Sequence, residues 1–297
     1  MVLIENKLNL PLDIVRYINK FLNPLLNDKT IRIAVDLWFF NQEECIKIYG
    51  HISDWNVFNV TDMSQLFREK EDFNEDISRW RVDNVKNMSL MFYYCTKFNK
   101  PLNNWNTSNV TNMSGMFWHA NNFNFPLNNW NISNVTNMVG MFYYNNKFNQ
   151  DLNSWNTSNV TDMSKMFSYA TLFNKPLNNW DTSNVTNMSE MFIHALNFNQ
   201  DINNWNTSNV TNTSKMFSFC ITFNKPLNNW NTSNIRDMSG MFSHTVNFNQ
   251  NLNDWNISSV IDMSKIFYLS AGFNYSLINW NIENVIYKDE IFHSTSI

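Results

Sequence analysis

Three histidines, His119, His194 and His244, recur at one place in a repeating pattern and are the residues best suited to hold a metal ion. Zinc needs its ligands about 2 Å away, whereas these side chains sit three and two repeats apart, roughly 14 and 10 Å at about 4.8 Å per repeat. No shared metal site is expected. Asp76, Asp151 and Asp201 also share one position, two or more repeats apart. Paired acid and base work needs two carboxylates about 5–10 Å apart across a cleft, so these read as solvated surface. No Gly-x-Ser-x-Gly elbow is present, and the chain's 5 glycines form neither a Gly-x-Gly-x-x-Gly turn nor a phosphate loop. The expectation is therefore a protein without cofactor or catalysis.

The positions of those residues are set by a period. Trp55, Trp80, Trp105, Trp130, Trp155, Trp180, Trp205, Trp230, Trp255 and Trp280 follow one another at an unbroken spacing of 25 residues. One unit, Val110 to Asn134, reads VTNMSGMFWHANNFNFPLNNWNISN. From Val110 through Met113, Met116 and Phe117 to Ala120 the apolar spacing is three, three, one and three, which predicts a short helix, partly 3₁₀, capped by Asn109 or Thr111. Leu127, Trp130 and Ile132 then predict one short parallel strand per unit. The fold class expected is an α/β solenoid of about ten stacked units. Each repeat position becomes a column along the stack. Met88, Met113, Met138, Met163 and Met188 form a core column, and Asn99 through Asn249 form a polar column serving backbone groups.

A stack must close its ends. Residues 1–49 read as a helical amino-terminal cap: Ile14, Val15, Ile18, Phe21 and Leu22 make one apolar stripe, Ile31, Val35 and Trp38 a second, with Pro24 between them. Residues 50–285 are the repeat region, and 286–297 the carboxy-terminal cap, where Lys288 replaces the methionine and Asp289 and Glu290 follow.

A net charge of −4 without a basic block argues against nucleic acid as a partner. No apolar run is long enough to cross a bilayer, and the start MVLIENKLNLPLDIV lacks the form of a secretory signal. Cys95 and Cys220 lie five repeats apart, about 24 Å, beyond disulfide reach. An intracellular setting is expected.

The signature NVTNMSGMF followed by FNxPLNNWNTSNV, covering about residues 50–285, resembles the 25-residue repeats of bacterial surface proteins and mycoplasma-type lipoproteins. These are related to leucine-rich repeats and occur also in large DNA viruses of protists. The segment Ala34 to Ser64 is similar to that family's usual head. The resemblance implies a right-handed, leucine-rich-repeat-like solenoid with protein-interaction or adhesion roles. The absent export signal favours the cytoplasm of a host cell over a bacterial surface. Separately, LPLDIVRYINKFL, Leu10 to Leu22 within residues 8–28, resembles the opening of an F-box, which would make residues 10–22 the docking site of a ubiquitin-ligase adaptor.

Differences between units locate the expected binding surface. The Asn-Asn-Trp-Asn segment is monotonous, whereas the two residues after each Met-Phe pair vary. There stand Tyr93, Tyr94, Trp118, His119, Tyr143, Tyr144, Tyr169, His194 and His244, an aromatic and histidine ridge of the kind that anchors protein interfaces.

Overall fold

The computed structural model describes residues 24–293 and residue 295. The first apolar stripe and the F-box-like segment, Leu10 to Leu22, lie outside the described residues. The described head comprises strand β1 (Leu25–Asn27), helix α1 (Asp28–Phe40), helix α2 (Gln42–Tyr49), a 3₁₀ turn (Ile52–Asp54) and strand β2 (Asn56–Asn59). The strands β1 and β2 pair in parallel. Helix α1 starts in a capping box: the Asn27 side chain accepts from the N–H groups of Lys29 and Thr30, while Thr30 Oγ1 accepts from Asn27 N–H. It buries Ile31, Ala34, Val35 and Trp38 against the first unit. Asn41 ends α1 and caps α2 through Glu44 N–H.

Beyond β2 the units neither form the expected helix nor extend into the expected strand. The segment Val110–Ala120 is a run of tight turns, and parallel pairing is limited to single bridges, Asn87 to Asn112, Asn112 to Asn137, and so on to Tyr287. The bridge lies beside Val110, not at Leu127–Ile132 as the strand expectation placed it. The physical reason is visible in the hydrogen bonds. Met116 N–H donates to Met113 O, Ala120 to Phe117, Phe123 to Ala120, Trp130 to Leu127 and Val135 to Ile132. Every one of these turns has a buried apolar residue at both ends. A spacing of three is thus shared by one face of a helix and by β-turns that close at inward-facing residues.

What excludes the helix is where the alternate N–H groups go. Met88, Leu90, Phe92 and Tyr94 donate to the carbonyls of Asn112, Ser114, Met116 and Trp118 in the next unit, at 2.8–3.0 Å. The residues between them close local turns, and a helix would consume both sets. The alternation costs backbone strain. Leu90 and Tyr94 hold φ of 56° and 57°, and the same two positions are left-handed in the following units.

The residues named as caps are used differently. Asn109 Nδ2 donates to Asp83 O of the preceding unit and Thr111 Oγ1 to Lys86 O. Residues of the asparagine column do serve backbone: Asn124 N–H donates to Asn99 Oδ1 and Asn149 N–H to Asn124 Oδ1, a chain that continues to Asn274. They do so from half-buried or exposed positions rather than from the interior.

Inside, like residues lie over like. Indole rings from Trp105 to Trp280 are parallel at 6.3–6.5 Å. Each Nε1 donates to a carbonyl of the preceding unit, such as Trp130 to Leu102 O at 2.8 Å. That bond removes the desolvation cost of a buried donor, so the large apolar ring is buried without a polar penalty. Phe117 stacks on Phe123 of its own unit at 4.1 Å and on Phe142 of the next at 5.6 Å. The methionine column is fully buried, although no helices flank it.

Candidate protein-binding ridge

The second left-handed position of each unit carries Tyr94, His119, Tyr144, Tyr169, His194, Phe219, His244 and Leu269. Positive φ turns these side chains out of the core, and registry with the next unit lays each ring on its neighbour. Centroids are 4.2 Å apart from Tyr94 to His119, 4.4 Å to Tyr144, 4.1 Å to Tyr169, 4.5 Å to His194, 4.1 Å to Phe219 and 4.0 Å to His244. The interplanar angles along this column run from 8° to 24°. All seven rings are half-buried.

The preceding position makes a second, shorter column. Tyr93 tilts against Trp118 at 6.0 Å and Trp118 against Tyr143 at 4.1 Å; then Ser168 interrupts it. Arg68 lies over the Tyr93 ring at 5.1 Å, closing the column at its amino-terminal end. Two glycines make this broader half possible. A Cβ on Gly140 would stand 3.0 Å from the Trp118 ring, and one on Gly115 would meet Leu90 at 2.5 Å. Both glycines also occupy the first left-handed position, with φ of 59° and 60°.

The nine residues picked out by sequence variation therefore come together in two adjacent columns. Phe219, which holds the same repeat position but is not one of those nine, completes the ring stack between His194 and His244. An aliphatic border flanks it: Leu172, Ile221 and Val246 are exposed beside the carboxy-terminal half of the ridge. The corresponding amino-terminal places hold Thr96, Asn121, Lys97 and Asn122.

Burial works against the charged forms of five ridge residues. Burial lowers the pKa of His119 and of His244; for His194, burial is the larger cause and the charge of His244 adds to it. Burial first, and then the neighbouring Tyr144, Tyr169 and Glu190, push the Tyr143 phenol up to about 12. Tyr169 is raised for the same reason, with a further contribution from its hydrogen bond with Tyr144. Imidazoles and phenols whose charged forms are disfavoured in this way lose little hydration when covered. Among the described residues no group of three or more His, Cys, Asp or Glu side chains is placed to hold a metal ion. Cys45, Cys95 and Cys220 are free and buried, with thiols pushed upward by desolvation.

The repeat has a recorded family. The model described as "Mycoplasma protein of unknown function, DUF285" matches residues 37–154, 122–220, 142–244 and 200–297, which together run from the last turn of α1 through the last unit. The chain belongs to the DUF285 family. The family match starts within the head, so Trp38, which packs edge-on against Trp55 at 6.1 Å, lies inside it. No curated protein matches the chain. No helix among the described residues is long and apolar enough to cross a membrane.

Proposed function

We propose that this DUF285 chain is a non-catalytic scaffold, a right-handed solenoid of leucine-rich-repeat type that captures a protein partner along the aromatic ridge. The supporting observation is the uninterrupted column of seven half-exposed rings from Tyr94 to His244. Aromatic side chains held rigidly by their neighbours lose little conformational entropy on binding and offer large apolar area with polar tips. The broad Trp118–Tyr143 half would hold the anchors, and the aliphatic border would set the rim.

The test compares the wild-type chain with a Trp118→Ala, Tyr143→Ala, Tyr144→Ala variant in proximity labelling within the native cell, followed by titration of the enriched protein against both purified chains. Loss of at least about 30-fold in affinity, with an unchanged melting transition, is the expected result. Equal affinity of a folded triple variant would overturn the ridge as the binding surface.

A second reading rests on the likeness of Leu10 to Leu22 to an F-box opening. On that reading the chain is a substrate adaptor of a cullin-type ubiquitin ligase, with the ridge holding the substrate. Co-purification of the ligase's small adaptor with the full chain, lost on Leu10→Asp and Ile14→Asp substitution, separates the two. A third reading, surface adhesion, follows from the family resemblance alone. The three free cysteines favour a reducing, intracellular setting, the host cytoplasm if the chain is viral.

A further inference from the structure

The uniform asparagine face, which offers a protein partner nothing to tell one unit from the next, has the form suited to a ligand that is itself periodic. A shallow groove of ≈ 450 Å³ lies on it, lined among others by Pro176, Asn178, Gln200, Asp201, Asn203 and Asn204. Its side chains are fixed in place by hydrogen bonds. Gln200 Nε2 donates to Asn174 Oδ1 at 2.8 Å, Asp201 Oδ1 accepts from Asn203 N–H at 2.9 Å, and Asn203 bridges to Asn228 Oδ1 and to Asn229 N–H. Asn204 Nδ2 donates to Asn178 O at 2.7 Å.

Most of the set recurs two units away in both directions, with Ser154 and Asp254 in the place of Asn204. Gln150 donates to Asn124 Oδ1 and Gln250 to Asn224 Oδ1. Asp151 accepts from Asn153 N–H and Asn251 from Asn253 N–H. Asn153 accepts from Asn179 N–H and Asn253 from Asn279 N–H. Between these sets stand Lys175-Pro176 and Lys225-Pro226. Two units advance the stack by about 10 Å. That is comparable to one disaccharide of an extended β-1,4-linked glycan, in which alternate sugars face opposite ways and the orientation repeats with every second ring.

We infer that this face binds a neutral, extended β-1,4-linked glycan, one disaccharide to each pair of units, with subsites at Gln150-Asp151, Gln200-Asp201 and Gln250-Asn251. The chemistry of the lining fits hydroxyl recognition. A carboxamide engaged in one hydrogen bond retains a donor and an acceptor, and Asp201 keeps Oδ2 for a sugar hydroxyl. The exposed pyrrolidine rings of Pro126 and Pro176 offer flat apolar surface to the C–H faces of a pyranose. Because the acids Asp151 and Asp201 alternate with Lys175 and Lys225, the strip carries no net field that would select a polyanion. Side chains already held by the fold lose little entropy when the ligand arrives.

The experiment is calorimetric titration of the full chain with cello- and chito-oligosaccharides of two to six sugars, and gel retardation by hydroxyethyl cellulose against dextran. At least one of the two oligosaccharide series is expected to bind, with affinity rising about tenfold from trisaccharide to tetrasaccharide and again to hexasaccharide. The variant Gln200→Ala, Asn204→Ala should lose tenfold or more in hexasaccharide affinity, and His244→Ala on the ridge should lose none. If the double variant fails to fold, Gln250→Ala, in an equivalent subsite, supplies the same comparison. No binding of either series, equal retardation by dextran, or a loss caused by His244→Ala but not by the face variants would overturn the proposal. None of these outcomes depends on whether the ridge captures a protein.

Discussion

The two ends of the stack meet the same physical problem with different side chains. At the amino-terminal end the first unit has no preceding unit to pair with, and α1 supplies substitutes. Asp28 Oδ1 accepts from the N–H groups of Thr61 and Asp62 at 2.6 and 3.0 Å, and its Oδ2 from the Thr61 hydroxyl. Arg32 donates to Ser64 O at 2.8 Å. One carboxylate and one guanidinium thus stand in for the missing row of amides and carbonyls. At the far end the outer columns change character. The threonine column of Thr111 to Thr211 continues as Arg236 and then becomes Ile261 and Ile286, and Tyr287 replaces the asparagine or aspartate of the bridge. Ile278 is 85% exposed and Ile286 67%. One end is closed by charge and hydrogen bonds, the other by side chains that leave apolar surface in water.

The comparison can be broken most forcefully at Trp38, which is 5% exposed and packs edge-on against both His51 and Trp55. Trp38→Ala is expected to cost about 3–5 kcal/mol, read as a lower urea midpoint; a loss below about 1 kcal/mol would mean that the head is not coupled to the stack. Asp28→Ala removes charge-assisted bonds to two backbone donors and should cost about 1.5–3 kcal/mol by the same measurement.

Acid sharpens the point without a cavity. Burial raises the Asp28 pKa, but the hydrogen bonds from Asp62 and Thr61 and the Arg32 charge outweigh it, leaving the carboxyl below its usual 3.8. Its stabilising contribution is therefore complete above that value and is lost as the pH falls through the lower folded value. Melting curves from pH 6 to pH 2 should show a steeper acid loss in the wild type than in Asp28→Asn, and parallel curves would remove Asp28 from the cap. Least affected is the opposite end, where Ile286→Thr restores the column residue at an exposed site. A change within about 0.5 kcal/mol is expected.

The period, the core columns and the ridge were all legible in the sequence, because registry from one unit to the next converts each position into a column. The secondary structure was not. Val110, Met113, Met116 and Ala120 obey the same spacing whether the chain coils as a helix or closes successive turns, and the difference lies in whether Gly115 and His119 adopt left-handed backbone. Gly115, Gly140 and Gly240 at the first of these positions hint at it, but Lys165, Glu190 and Lys215 in the same column conceal it. The role of Asp28 was hidden for another reason. Its partners Thr61 and Asp62 stand beyond the whole of the head, and nothing in the local sequence of α1 marks an aspartate that caps a different unit.

The hydrogen bonds that reach from each unit into the next also set how the chain finds this arrangement. Every such pairing closes a loop of one length, at an entropic cost of about 3 kcal/mol beyond a constant, whether the stack is short or long. Lengthening the protein adds steps but does not make any step more distant, so folding can spread from any adjacent pair of units at a rate nearly independent of chain length. A lone unit, with two left-handed residues to strain and no neighbour to bond, is a poor nucleus, and two units together are the smallest body that can begin.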